Sequence, residues 1–218
     1  MKKHAEVTKL MGYEPLTTYI VFGVVALQIA VSVLLAKYHV KWSSPLFIIL
    51  AYVIGGTANH NLFLAIHEIT VWQNKTLAIF ANLPTGIPYA AAFKKYHIEH
   101  HKFLGQDGID TDLPTNLELY LLNNILGKVF FATSQILFYT LRPTFVRAQT
   151  LTSGHFLNIL AVLASDYAIY TLFSSTPLMY FLFSSFFAGS LHPCAGHFIA
   201  EHYLWDGQDQ ETYSYYSW

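Results

Sequence analysis

Long apolar stretches alternate with short polar ones along this chain, and several are too long to be strands. Tyr19–Ala36 carries no charged side chain and predicts a helix long enough to span a bilayer, closed by Lys37 and Lys41. Pro45–Ile66 predicts a second span. Its second half holds Gly55, Gly56, Asn59, His60 and Asn61, so that end should pack against protein or water rather than lipid. Leu157–Phe173 and Pro177–Leu191, joined by Ser174, Ser175 and Thr176, read as a hairpin of two more spans in which Asp166 is the one charge. Leu77–Phe93 is apolar but broken by Pro84, Gly86 and Pro88, which points to a re-entrant or interfacial piece. Leu117–Leu141 mixes apolar residues with Asn123, Asn124, Lys128 and Gln135, a pattern for one helix lying in the interface. The expected fold is an all-α membrane protein of about four transmembrane helices, with interfacial helices and a cytosolic cap.

Composition strengthens this reading. Of the 218 residues 54% are hydrophobic and only 11% charged, which excludes disorder, coiled coil and an ordinary soluble domain. The net charge of −1 provides no field for nucleic acid. The single cysteine, Cys194, excludes an internal disulfide framework and a cysteine-based zinc site. With four spans, every Lys and Arg except Lys37 and Lys41 falls on the side that holds Lys94–Thr115, the Arg142–Arg147 loop and both termini. The positive-inside rule makes that side cytosolic.

Against this scarcity of polar groups stand 11 histidines. His97, His100 and His101 follow i, i+3, i+4 spacing, one face of a helix, from which imidazoles can converge on one or two metal ions. A merely solvated face would have little use for histidine, an indifferent helix former. His67 stands with Glu68 at the end of the second span, where an ionisable group is a functional candidate. His60, two turns earlier, suits a structural role satisfied by a hydrogen bond. In the third cluster His202 beside Glu201 is the better ligand, with His197 a sixth candidate; His192, before Pro193, reads as a boundary residue. His4, His39 and His155 read as solvated or snorkelling groups. Imidazole donors without a thiolate cluster suit iron or zinc. Asp107, Asp110 and Asp112 follow closely; Asp107 reads as a turn residue, while Asp110 and Asp112 stay open between a turn and support of the histidines.

Leu64–Ile69, Ala81–Tyr89, the long stretch Phe93–Thr115 with its Tyr-His-Ile-Glu-His-His run, and His192–Tyr203 closely resemble the sphingolipid Δ4-desaturases, the dihydroceramide desaturases of the membrane fatty acid desaturase family. Lys9–Pro15 and Glu211–Tyr216 are similar to that family as well. The resemblance implies an N-terminal segment over 1–17 and a desaturase-like membrane domain over 18–218, in the endoplasmic reticulum membrane. It implies a histidine-ligated di-iron centre held by His67, His97, His100, His101, His197 and His202. It also implies O₂-dependent conversion of dihydroceramide to ceramide, with cytochrome b5 as electron donor and the bilayer as the route of lipid entry.

Two departures shape the expectation. The family's first box needs a second histidine where Val71 and Trp72 stand, as if a piece were deleted after Ile69, and no second H-x-x-H-H run follows the first. The sequence therefore reads as a truncated form, expected to be inactive alone. The alternatives are a related lipid hydroxylase and a non-catalytic partner of a full-length enzyme; a histidine-rich metal carrier fits less well, because its ligands should lie at mid-membrane.

Overall fold

The computed structural model describes residues 15–68 and 72–196, and all of its regular structure there is helical. Helix α1 (Pro15–Lys37) is followed by α2 (Pro45–Leu50), a π-helical segment (Ala51–Gly56) and α3 (Thr57–Glu68), which together make one continuous rod. Then come α4 (Trp72–Asn82), a 3₁₀ turn (Leu83–Thr85), α5 (Ala90–Lys102), α6 (Asn116–Leu121), α7 (Ile125–Val146), α8 (Ser153–Phe173), α9 (Thr176–Ala188) and a closing 3₁₀ turn (Pro193–Gly196). Four helical stretches, Leu16–Lys37, Pro45–Ile66, Ser153–Phe173 and Thr176–Gly196, are long and apolar enough to cross a membrane, as the hydropathy pattern predicted. The N-terminal polar segment, the junction after Ile69, His4, His197, His202 and the tyrosine-rich tail lie outside the described residues.

The four spans are not equivalent. α8 is lined with exposed Leu157, Leu160, Leu163, Tyr167 and Leu172, and α1 with Tyr19, Ile20, Phe22 and Leu34. A helix apolar on all sides and exposed on most of them needs lipid around it. The second span and α9 lie inside instead, with Phe47, Ala51, Tyr180 and Phe181 fully covered. Their close approach depends on Gly55, where a Cβ would sit 1.9 Å from Ser184 Oγ. Small residues at such crossings let helix backbones approach in a membrane, where packing must replace the hydrophobic effect.

A chain of buried polar side chains runs through this interior. Tyr180 donates to Gln28 Oε1 at 2.9 Å, and Gln28 donates to Asn59. Asn59 donates to Ser185 Oγ at 2.9 Å, and Ser185 to Thr85 O at 2.8 Å. The chain reaches Asn82, which is fully buried. Asn82 Oδ1 accepts from Tyr89 N–H and Ala90 N–H, both at 3.1 Å, and from Asn158 Nδ2 at 2.9 Å. Its amide nitrogen donates to Thr85 Oγ1 at 2.6 Å and Ile87 O at 2.8 Å. Asn158 Oδ1 in turn accepts Ala91 N–H at 3.0 Å. The first N–H groups of a helix have no partner within it, so two asparagines from α4 and α8 fix where α5 begins. The prolines and Gly86, at φ +71°, break the apolar run over 77–93 as expected, and the break is a corner between α4 and α5.

Three expectations are corrected. The stretch 117–141 is not one helix: Leu122–Asn124 divides it. A capping box between Thr115 and Glu118 starts α6, Asn124 Oδ1 accepts Gly127 N–H to start α7, and a Cβ at Gly127 would collide with Leu121 O at 1.6 Å. Arg142 is not in a loop, because α7 continues to Val146. His155 is not a solvated or snorkelling group. It holds the third position of α8, and its Nδ1 accepts Thr152 N–H at 3.1 Å, a helix-capping role. His60 meets its expected structural role, with Nδ1 3.4 Å from Ala188 O.

Asn82→Ala removes one acceptor shared by three donors, two of them backbone groups. With about 1–3 kcal/mol for each buried donor left unsatisfied, a loss of about 3 kcal/mol is expected. For a chain of this size that corresponds to a fall of about 6–12 °C in the thermal unfolding midpoint in detergent. An unchanged midpoint would show that α5 is held some other way.

Candidate metal centre and adjoining cavity

α5 carries the histidine face. Its rotational setting is fixed at the far end by Arg147, whose Nε donates to Glu99 Oε2 at 2.8 Å, while Tyr96 Oη donates to Arg147 O at 2.9 Å. The hydrogen bond from Arg147 holds the Glu99 carboxyl below its usual range. On the opposite face His97 and His101, one turn apart, bring their Nε2 atoms to 2.8 Å, with ring centroids 4.2 Å apart. The His97 ring stacks on Phe93 at 5.3 Å.

His100 is buried and turned toward the following loop, where its Nδ1 donates to Asp110 Oδ1 at 2.8 Å. Its ring lies 5.2 Å from that of His101 and 6.3 Å from that of His97. A carboxylate that takes the Nδ1 proton leaves Nε2 as the donor nitrogen, which is how ligating imidazoles are commonly oriented. His100 Nε2 is also 3.7 Å from Asp112 Oδ2.

Asp110 is the hub of this loop. Besides His100 it accepts Gly105 N–H at 2.8 Å and Asp112 N–H at 2.9 Å. Burial alone would raise its pKa, but the His100 and backbone hydrogen bonds outweigh it and keep the carboxyl below its usual value. The sequence left Asp110 open between two roles, and the structure gives it both: it builds the turn and it fixes the imidazole. Asp107 is an exposed turn residue.

A second layer, which sequence reasoning missed, secures the loop. Arg142 in α7 and Glu118 in α6 form a buried ion pair, with Arg142 Nε 3.0 Å from both Glu118 oxygens. Arg142 Nη1 also donates to Thr111 O at 3.1 Å and Asp112 O at 3.0 Å. The guanidinium stacks over the Tyr139 ring at 4.7 Å. Burial pushes the Tyr139 phenol up to about 12, so it stays a neutral hydroxyl. The available signal was Thr115-x-x-Glu118, a capping box ahead of an apolar run.

The structure therefore brings His97 and His101 together and orients His100. His67 is in the last turn of α3, and His197 and His202 lie outside the described residues. Among the described residues, no three His, Cys, Asp or Glu side chains converge closely enough to hold a metal ion. What is described fits an imidazole-bound metal in donor type and orientation: two facing Nε2 atoms and a third ring with its Nδ1 committed to a carboxylate.

A cavity of about 300 Å³ opens beside this face. Its wall combines His97 with Phe63, Ile87, Phe93, Ile136 and Tyr139, contributed by α3, the corner, α5 and α7. A mostly apolar concavity with a few polar groups is the usual form of a small-molecule or lipid site.

Four membrane-length helices, with His97 on the wall of an apolar cavity, define the class: a multi-pass membrane protein. A family model for the fatty acid desaturases matches residues 38–218, and the chain belongs to that family. It is 50% identical over 233 residues to the sphingolipid delta(4)-desaturase of Komagataella phaffii, covering 99% of this chain and 64% of that relative. It is 49% identical over 211 residues to the sphingolipid delta(4)-desaturase of Schizosaccharomyces pombe, covering 93% of this chain and 58% of the relative. To the human sphingolipid delta(4)-desaturase/C4-monooxygenase it is 40% identical over 225 residues, covering 99% and 68%. The chain thus spans about three-fifths of the length of the two fungal relatives. The stretch matched in Komagataella, 233 positions, is longer than this 218-residue chain, so part of that relative has no counterpart here. No solved structure matches.

Arg142→Leu leaves Glu118 buried and without its partner, an expected loss of about 3–5 kcal/mol at neutral pH. Burial alone would raise the Glu118 pKa; hydrogen bonds from Arg142 and Thr115 outweigh it and hold the value below 4.5. A carboxyl depressed in this way stabilises the fold above its unfolded pKa, and that contribution disappears as pH falls through the folded value. Without Arg142, burial is opposed only by the Thr115 hydrogen bonds, so the unpaired carboxyl takes up a proton at higher pH than in the parent. The deficit should be full at pH 7 and shrink as pH falls into the acid range where Glu118 of the variant protonates. Thermal unfolding across pH checks this, and a deficit independent of pH would contradict the ion-pair assignment.

Proposed function

We propose that this chain is the membrane part of an iron-dependent sphingolipid Δ4-desaturase of the endoplasmic reticulum, with residues 18–218 as its desaturase-like domain. The observation that carries the reading is His97 on the wall of the apolar cavity, one turn from His101 and on the same helix as the Asp110-oriented His100. Identities of 40–50% to proteins named sphingolipid delta(4)-desaturases support the choice of substrate class. The reaction proposed takes dihydroceramide, O₂, two electrons and two protons to ceramide and two waters, with cytochrome b5 as the electron source.

Iron, when bound, supplies the O₂-activating chemistry that no protein side chain provides. The ligands proposed are His67, His97, His100, His101, His197 and His202, two iron ions being the family's arrangement. The chain's own contribution is positional. Asp110 holds the Nδ1 proton of His100 and presents its other nitrogen. Arg142 and Glu118 keep the loop that carries Asp110 and Asp112 against α7. Phe93, Ile136 and Tyr139 keep the cavity apolar, which excludes water and suits a hydrocarbon chain.

A lipid hydroxylase is the second reading, favoured by the human relative whose name joins desaturase with C4-monooxygenase. Product analysis separates the two. In cells without their own Δ4-desaturase, a chimera supplying the Komagataella positions that this sequence lacks should form Δ4-unsaturated product, and His97→Ala in that chimera should abolish it. A 4-hydroxylated product would favour the second reading. Failure of the chimera, in a host where the Komagataella protein converts dihydroceramide, would overturn the proposed activity.

A further inference from the structure

Among the described residues, the fully buried amides Gln28, Asn59, Asn82 and Asn158 each have hydrogen-bond partners. Gln135 is different. It projects from the middle of α7, is only 6% exposed, and lines the cavity beside Ile136 and Tyr139. Among the described residues no hydrogen bond engages its amide. Two further cavity-lining residues, Thr111 and Tyr89, carry buried hydroxyls with no hydrogen-bond partner. Leaving a buried polar group unsatisfied is unfavourable, and native proteins keep few such groups. Two such hydroxyls and the Gln135 amide around one mostly apolar cavity indicate that something else completes them.

We infer that Gln135, with Thr111 and Tyr89 lining the same cavity, is the polar subsite that binds the amide and hydroxyl groups of a lipid lying there, and that it sets the register of the hydrocarbon chain against His97. The inference rests on the reading of the cavity as a lipid site given under Proposed function. The ligand class follows from chemistry. A carboxamide both donates and accepts, as do phenolic and aliphatic hydroxyls, so a neutral amide or hydroxyl is complementary and an ion is not. A plain fatty acyl chain would leave all three groups unpaired. A lipid bearing a secondary amide and a hydroxyl near one end satisfies them, and its next carbons must then continue along the apolar wall that includes His97. Gln135 is thus a positioning residue rather than a catalytic one.

The test uses the purified chain in detergent micelles and two photoreactive probes with the same diazirine-bearing hydrocarbon. One is an N-acyl dihydrosphingosine and the other a plain alkane, and labelled peptides are identified by mass spectrometry. The parent should label peptides of α5 and α7 with a preference for the amide probe. Gln135→Leu, which keeps volume and helix propensity, should weaken amide-probe labelling about five- to tenfold, the loss expected for one buried hydrogen bond. Alkane labelling should not change. Gln135→Met should behave in the same way, so a folding defect peculiar to one variant does not decide the result. An undiminished amide preference in both variants would overturn the Gln135 inference and leave the lipid reading intact. If the parent labelled cavity peptides with neither probe, the lipid reading itself would fail, and the inference with it.

Discussion

The Asn82 side chain is the constraint on which the functional half of the molecule depends. A helix begun after two prolines and a glycine has no continuous backbone to aim it, and its first N–H groups need partners in a region where water is scarce. Asn82 supplies acceptors for Tyr89 and Ala90, and through Asn158 it recruits α8 to hold Ala91. The same residue ends the polar chain that starts at Tyr180 and Gln28 and passes through Asn59, Ser185 and Thr85. The position of the histidine helix is therefore set by the packing of the spans. Such a network is stable only because each member is satisfied, and removing one leaves several others unpaired.

Two further anchors complete the placement. Glu99 and Arg147 tie the outer side of α5 to the end of α7. Asp110, held by Arg142 through the backbone of Thr111 and Asp112, catches His100 from the other side. The His97–His101 pair lies between these anchors, and His97 lines the cavity. Rigidity around the ligand candidates and an apolar, deformable space beside them are complementary needs: donor nitrogens must be held closely, while a lipid chain needs room.

Much of this was legible in the sequence, for reasons that differ by element. The four spans declare themselves because a bilayer demands uninterrupted apolar length. The His97, His100, His101 face is visible because helical spacing maps directly onto a surface. The corner at Asn82–Tyr89 is announced by Pro84, Gly86 and Pro88, but Asn82 looks like any polar residue in a loop, and only the fold shows that it touches five groups. Glu118 and Arg142 are 24 residues apart, and their pairing depends on how α6 turns into α7. The division at Leu122–Asn124 was hidden because side-chain capping, and no proline, makes it. His155 looked solvated because its capping role needs the exact start of α8.

X-ray absorption at the iron edge of the purified, iron-loaded chain tests the central claim most directly, that the face of α5 holds the metal beside the cavity. The account predicts scattering from imidazole nitrogens around iron, reduced when His97 and His101 are both replaced by alanine. A spectrum of oxygen donors alone, or an imidazole spectrum that does not change in the His97→Ala, His101→Ala variant, would contradict it.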